Sequence, residues 1–182
     1  MTEAMSASSA PLDVLVDELR RAWAYTDSLW LDLDESQVRW RPTEHSSAIG
    51  WHLGHQAAVA HFMVRNLLAA EPSPDRELDS LMDSATPEPA RGGLPDRERL
   101  GRYRAAVADR VIVRIDAIRL GEVGAPAQLS VVAGGLVRAL VNHEYQHDQW
   151  IAEVRSGDLG ATAPPVPTSP SLTTIDGYTV LR

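Results

Sequence analysis

The sequence predicts an all-α protein, an antiparallel four-helix bundle with a proline-rich C-terminal extension. Three observations carry that reading. Four long stretches repeat apolar residues at helical spacing. Strand-like alternation is nearly absent, and prolines and glycines gather between the later stretches and after the last one. A chain of 182 residues suits one domain with a real core. Residues 1–10 read as a disordered lead-in, 11–157 as the bundle, and 158–182 as an extended tail or strap.

The first helix is expected from Pro11 to Asp32, with proline at its start, where an N–H has no intrahelical partner to lose. Leu12, Val16, Leu19, Trp23 and Trp30 form its stripe. The second should cover Ile49 to Ala70, with His55, Val59, Phe62 and Asn66 along one face and Ala48, Gly50 and Gly54 allowing close helix approach. The proline-rich segment Glu71–Pro95 is too long for a tight bundle turn, which suggests a lid or a solvated excursion. The third helix is expected over Asp96–Leu120 on a stripe of Leu100, Tyr103, Val107, Val111 and Ile118. The fourth is expected over Val132–Arg155, with Leu136, Leu140, His143, His147, Trp150 and Val154 inward, ending at Ser156-Gly157. In the tail, Asp176-Gly177 between β-formers permits a small hairpin or a strap over the bundle.

Composition removes several kinds of chemistry. The net charge of -8 argues against a nucleic-acid partner, whose phosphates would be repelled. No apolar run approaches the roughly 18 residues of a membrane span, and the N-terminus lacks a signal-peptide pattern, so a cytoplasmic protein is expected. There is no cysteine, so a metal must be held by histidine and carboxylate, and a thiol must come from outside. All 17 basic residues are arginine, which excludes Schiff-base chemistry on lysine.

The chemistry concentrates in the histidines. His143 and His147 stand one turn apart on the inward line of the last helix, and His55 faces inward on the second. Several buried imidazoles each need a partner, and one shared cation supplies it for all. The letters HEYQH match the H-E-x-x-H of zinc metalloproteases. That reading needs a third ligand downstream, where no histidine occurs and the one later glutamate, Glu153, lies off the imidazole face. The third ligand therefore comes from AIGWHLGHQAAVAH, where spacing favours neither His52 nor His55 strongly.

The stretch LDLDESQVRWRPTEHSSAIGWHLGHQAAVAHF, taken with LVNHEYQHDQW, resembles the DinB-like superfamily of metal-binding four-helix bundles over about Leu12 to Arg155. The resemblance implies the metal ligands His55, His143 and His147. It extends to mycothiol-dependent maleylpyruvate isomerases, to mycothiol and bacillithiol S-transferases, and to the N-terminal domain of ergothioneine-type sulfoxide synthases. The implied cofactor is a divalent ion (zinc, nickel or iron), with mycothiol as a cosubstrate, a small-molecule substrate, and a homodimer as the assembly. The implied activity is a metal-dependent transferase or isomerase using a low-molecular-weight thiol. The alternatives are a metal-dependent hydrolase, an iron-dependent oxidative enzyme, or a non-catalytic metal-stabilised protein.

Around these ligands, Glu144 lies about 100° from His143 on the helix, near enough to orient a ligand or bound water in catalysis; otherwise it is solvated or salt-bridged. Arg114, seven residues after Val107, is a candidate anchor for a substrate carboxylate or the partner of an internal acid such as Asp27. Tyr145 turns away from the metal face to pack or meet a partner, Trp51 and Trp150 read as pocket walls, and His45 and His61 read as surface histidines.

Overall fold

A computed structural model describes residues 11–68 and 71–182, with backbone alone for 65–68; the lead-in at 1–10 lies outside the described residues. Among them are α1 (Leu12–Trp30), α2 (Glu35–Val38), α3 (Ile49–Leu68), α4 (Arg76–Leu81), α5 (Arg97–Arg119), α6 (Pro126–Gly157) and a hairpin of β1 (Leu172–Ile175) with β2 (Tyr178–Leu181). The fold is an all-α bundle of the four long helices, with a minor two-stranded sheet. Among the described residues no helix is long and apolar enough to cross a membrane.

The helices are not all antiparallel. Leu15 of α1 meets Gly134 of α6, and further along the carbonyl of Leu29 accepts from Arg155, so these two run the same way. Gly50 near the start of α3 packs against Leu94 just before α5, and Arg114 near the end of α5 pairs with Glu71 just past α3, so that pair is also parallel. By contrast His52 stacks on Trp150 while His55 faces His143, which sets α3 against α6. The order is up, down, down, up. Two helices in succession running the same way require the chain to return along the bundle between them. Residues 71–95 do this, and their length follows from that crossover. They are docked rather than loose: Tyr103 Oη donates to Asp79 at 2.6 Å, Trp51 Nε1 to the Leu81 carbonyl at 3.2 Å, and Leu78 and Met82 are fully buried.

Local chemistry sets the element ends. Asp34, Asp75 and Asp96 cap α2, α4 and α5 by accepting from backbone N–H groups, and Asp34 with Gln37 completes a capping box. Helix α6 starts six residues earlier than the apolar stripe suggests, on Pro126 after Ala125 with φ 52°. Its first turns are largely exposed and left no stripe to read. It ends at Gly157, and the left-handed glycine that follows is Gly160. The tail lies on its own bundle. Leu172 and Leu181 are buried, Arg155 donates to the Thr162 carbonyl, and Leu181 N–H donates to Asn142 Oδ1 at 2.7 Å. Asp176 and Gly177, both at positive φ, make the two-residue turn of a hairpin with Ile175 opposite Tyr178.

Two predicted faces are rotated. On α6 the most buried line is Val137, Leu140, Val141, Glu144, Tyr145, Asp148 and Ile151, so Leu136, His143, His147 and Trp150 flank it. On α3, Phe62 is 65% exposed whereas His61 is 5% exposed, so the histidine expected at the surface is inside and the phenylalanine is out. His45 is exposed as expected.

Gly50 and Gly54 allow close approach, as their sequence context suggests. A Cβ at Gly50 would stand 2.7 Å from Leu94 and 2.9 Å from Val38, and one at Gly54 would collide with Met82. Gly50→Ala is expected to lower stability by about 1–3 kcal/mol through overpacking. Gly135→Ala, on an exposed helical position with nothing within 4 Å, should raise it by about 0.5–1 kcal/mol. Urea denaturation of the two variants checks both signs.

Candidate metal centre

Three imidazoles converge between α3 and α6. One ring nitrogen from each of His55, His143 and His147 lies within 4.8 Å of the others. His147 Nε2 and His143 Nε2 are 3.1 Å apart, and the rings of His55 stand 5.2 and 5.1 Å from those of His143 and His147. Nitrogens bound at about 2.0–2.1 Å to one tetrahedral cation stand about 3.3–3.4 Å apart. The α6 pair is already near that spacing.

The hydrogen bonds on the far sides of the rings decide which nitrogens are bare. His55 Nδ1 donates to the Met82 carbonyl at 2.7 Å, which leaves Nε2 as a lone pair. His52 Nδ1 lies 2.6 Å from His147 Nδ1, so a proton on the latter leaves His147 Nε2 bare as well. This separates the two upstream histidines: His55 joins the cluster and His52 backs His147, its ring lying on Trp150 at 4.0 Å. Such backing bonds orient metal-binding imidazoles. His143 Nδ1 is buried and finds no hydrogen-bond partner among the described residues, and two facing Nε2 lone pairs repel unless a proton or cation sits between them. The donor set therefore fits a cation.

The rings are held neutral. Burial first, with neighbouring imidazoles adding to it, lowers His147 to about 2, His52 to about 3 and His143 to about 4. His55 is lowered too, by burial first, with Arg91 opposing its protonation and the Met82 carbonyl favouring it. Arg91 lies 4.1 Å over the Trp51 ring, which also stacks on His55 at 4.6 Å and 10° and meets His52 edge-on at 5.5 Å. Neutral imidazole is the form that binds metal.

The residue after each cluster histidine belongs to a second, buried layer: Gln56, Glu144 and Asp148, one helical step (about 100°) further round. Gln56 Nε2 donates to Asp148 Oδ1 at 2.9 Å and to the Glu144 carbonyl at 3.1 Å. Its Oε1 accepts from Arg104 at 3.1 Å, and Arg104 also donates to the Leu53 carbonyl and faces Glu144 at 3.9 Å. The Thr26 hydroxyl lies 3.0 Å from Glu144, 3.1 Å from Asp148 and 3.1 Å from the Ala22 carbonyl. One hydroxyl proton cannot serve three acceptors, so a carboxyl must supply another. Asp148 is that group: burial pushes it well above the usual range and the charge of Glu144 adds to this. Burial raises Glu144 as well, but Arg104 opposes it, so the pair holds one proton on Asp148 and the negative charge beside Arg104.

The remaining sequence candidates lie elsewhere. Glu144 is 1% exposed and turned toward Thr26 and Arg104, edging a separate cavity of about 200 Å³ with Trp23 and Trp30 rather than the histidine side. Arg114 pairs with Glu71, not Asp27, and lies ten residues, or about 15 Å of helix, beyond Arg104. Tyr145 is buried against Tyr25 with rings 6.1 Å apart. Sequence reasoning passed over Arg104; its signal was a place next to Tyr103 on the buried side of α5.

The class of protein this defines is a helical bundle carrying a three-histidine candidate metal site between two of its helices. A family model of the DinB superfamily matches residues 18–151, well over half of the chain, and the chain belongs to that superfamily. No curated protein matches it.

Two measurements follow from this geometry. Zinc titration with a competing chromophoric chelator should give one tight site in wild type, none in His55→Ala, His143→Ala or His147→Ala, and a site weakened about 10–100-fold in His52→Ala. In metal-free protein, Glu144→Ala should cost about 3–5 kcal/mol by leaving Arg104 buried without its counter-ion. Asp148→Asn, which keeps a donor and an acceptor, should cost under about 1.5 kcal/mol.

Proposed function

We propose that His55, His143 and His147 hold a divalent cation of zinc, nickel or iron, and that the chain is a metal-dependent transferase or isomerase using a low-molecular-weight thiol of the mycothiol type. The observation that carries the reading is the convergence of three neutral imidazoles, one of them oriented by the Met82 carbonyl. A cation bound there would act as a Lewis acid, lowering the pKa of a coordinated thiol or water so that a nucleophile forms at neutral pH.

The chain's own residues do the rest. With no cysteine, it supplies no thiol and no competing thiolate ligand, so the sulfur nucleophile is external. Trp51 and Trp150 cover the rings of His55 and His52 and keep water from that side. His52 holds the tautomer of His147, and Met82 holds that of His55. Glu144 serves as a positioning residue, fixing α6 beside His143 through Thr26 and Arg104.

Metal-loaded protein incubated with mycothiol and an electrophile such as 1-chloro-2,4-dinitrobenzene or monobromobimane should form the thioether conjugate, read by mass spectrometry. Conjugation should fall at least 100-fold on chelation and in His55→Ala. Metal retention without metal-dependent conjugation from any thiol would overturn the thiol assignment and favour a hydrolytic, oxidative or purely structural metal.

A further inference from the structure

His55 opens onto a cavity of about 560 Å³ whose far wall is the crossover segment. The charged groups of that wall are unequally occupied. Asp75 and Glu77 both turn to Arg99 on α5, at 2.9 and 2.7 Å. Asp79 accepts from Tyr103 Oη at 2.6 Å and lies 3.6 Å from His61 Nδ1, and Asp83 accepts from the Ala85 N–H at 2.7 Å. Arg76 stands among these acids, lines the cavity, and makes no hydrogen bond or ion pair with any described residue. Of the two guanidiniums on the segment, that of Arg91 donates to Thr86, Ser47 and Ser84, and that of Arg76 is bonded to no described residue.

The cavity has two other features. Phe62, 65% exposed, and Val59 supply an apolar wall on α3. The end opposite Arg76 is His55, held by Met82, which is six residues or about 9 Å of chain rise from Arg76. A cationic end, an apolar side and an imidazole end match a small organic anion with an apolar body. Asp79 and Asp83 line the same space, so a singly charged carboxylate meets less repulsion than a doubly charged phosphate.

We propose that this cavity is the substrate site and takes a small organic carboxylate, gripped by Arg76, with its apolar body against Phe62 and its reacting end toward His55. The position of the reacting end rests on the metal reading above; the carboxylate grip does not.

The test uses 3-phenylpropionate and its neutral isostere 3-phenylpropionamide, titrated calorimetrically into metal-free and zinc-loaded protein. The acid should bind at least tenfold more tightly than the amide in both forms. Arg76→Gln should erase that preference and Arg76→Lys restore part of it, with melting temperatures within about 1 °C of wild type because Arg76 is exposed and makes no hydrogen bond or ion pair with a described residue. Phe62→Ala should weaken acid and amide together. Equal binding of acid and amide, or a preference that survives Arg76→Gln, would overturn the proposal, as would tighter binding of phenyl phosphate. Zinc content is read on the same samples by mass spectrometry. Carboxylate selectivity without zinc uptake would uphold the anion site and remove the metal reading. Zinc uptake without selectivity would remove the anion site alone.

Discussion

The arrangement depends on a proton and a charge buried where the four long helices meet. Thr26 comes from α1, Gln56 from α3, Arg104 from α5, and Glu144 with Asp148 from α6, so each long helix contributes to one buried network. Taking such groups out of water is costly, and an apolar core of the same volume could be as stable. What the network supplies is register. Its acceptors and donors match in one alignment of the helices, and a slip by one residue would leave a charge unpaired.

That register is what the candidate centre needs. His55, His143 and His147 each precede a network residue, so fixing Gln56, Glu144 and Asp148 fixes the backbone from which each imidazole projects. The inner layer is satisfied within the protein, and the layer beside it leaves lone pairs facing one another. Polar residues of the same helices thus serve two ends, with a rotation of about 100° deciding which.

The crossover completes the site for a topological reason. Because α3 and α5 run the same way, the chain must travel back along the bundle, and that return passes over the face where His55 emerges. Met82, buried at the end of α4, can therefore offer its carbonyl to His55, and the same segment walls the neighbouring cavity. A tight antiparallel turn would have provided neither.

Helix number, the long connector, the hairpin at Asp176-Gly177 and the histidines were legible in the sequence, because apolar spacing, turn chemistry and residue identity are local properties. The grouping of His55 with His143 and His147 came from the DinB resemblance, not from spacing, which left His52 open. From sequence Glu144 reads as a group beside the ligands or else a solvated or salt-bridged acid, and Asp148 draws no notice, because an acid is assumed to seek water; placing both off the core rotated the inward face of α6 by about one residue. Only the tertiary structure brings Thr26, Gln56 and Arg104 to them and makes their burial tolerable. For the same reason Arg104 rather than Arg114 became the internal cation, and His61 rather than Phe62 turned inward. The sequence alone determined which chemistry was available. Packing decided which polar groups find partners and which stay open, since partnership is a property of pairs that the chain brings together only on folding.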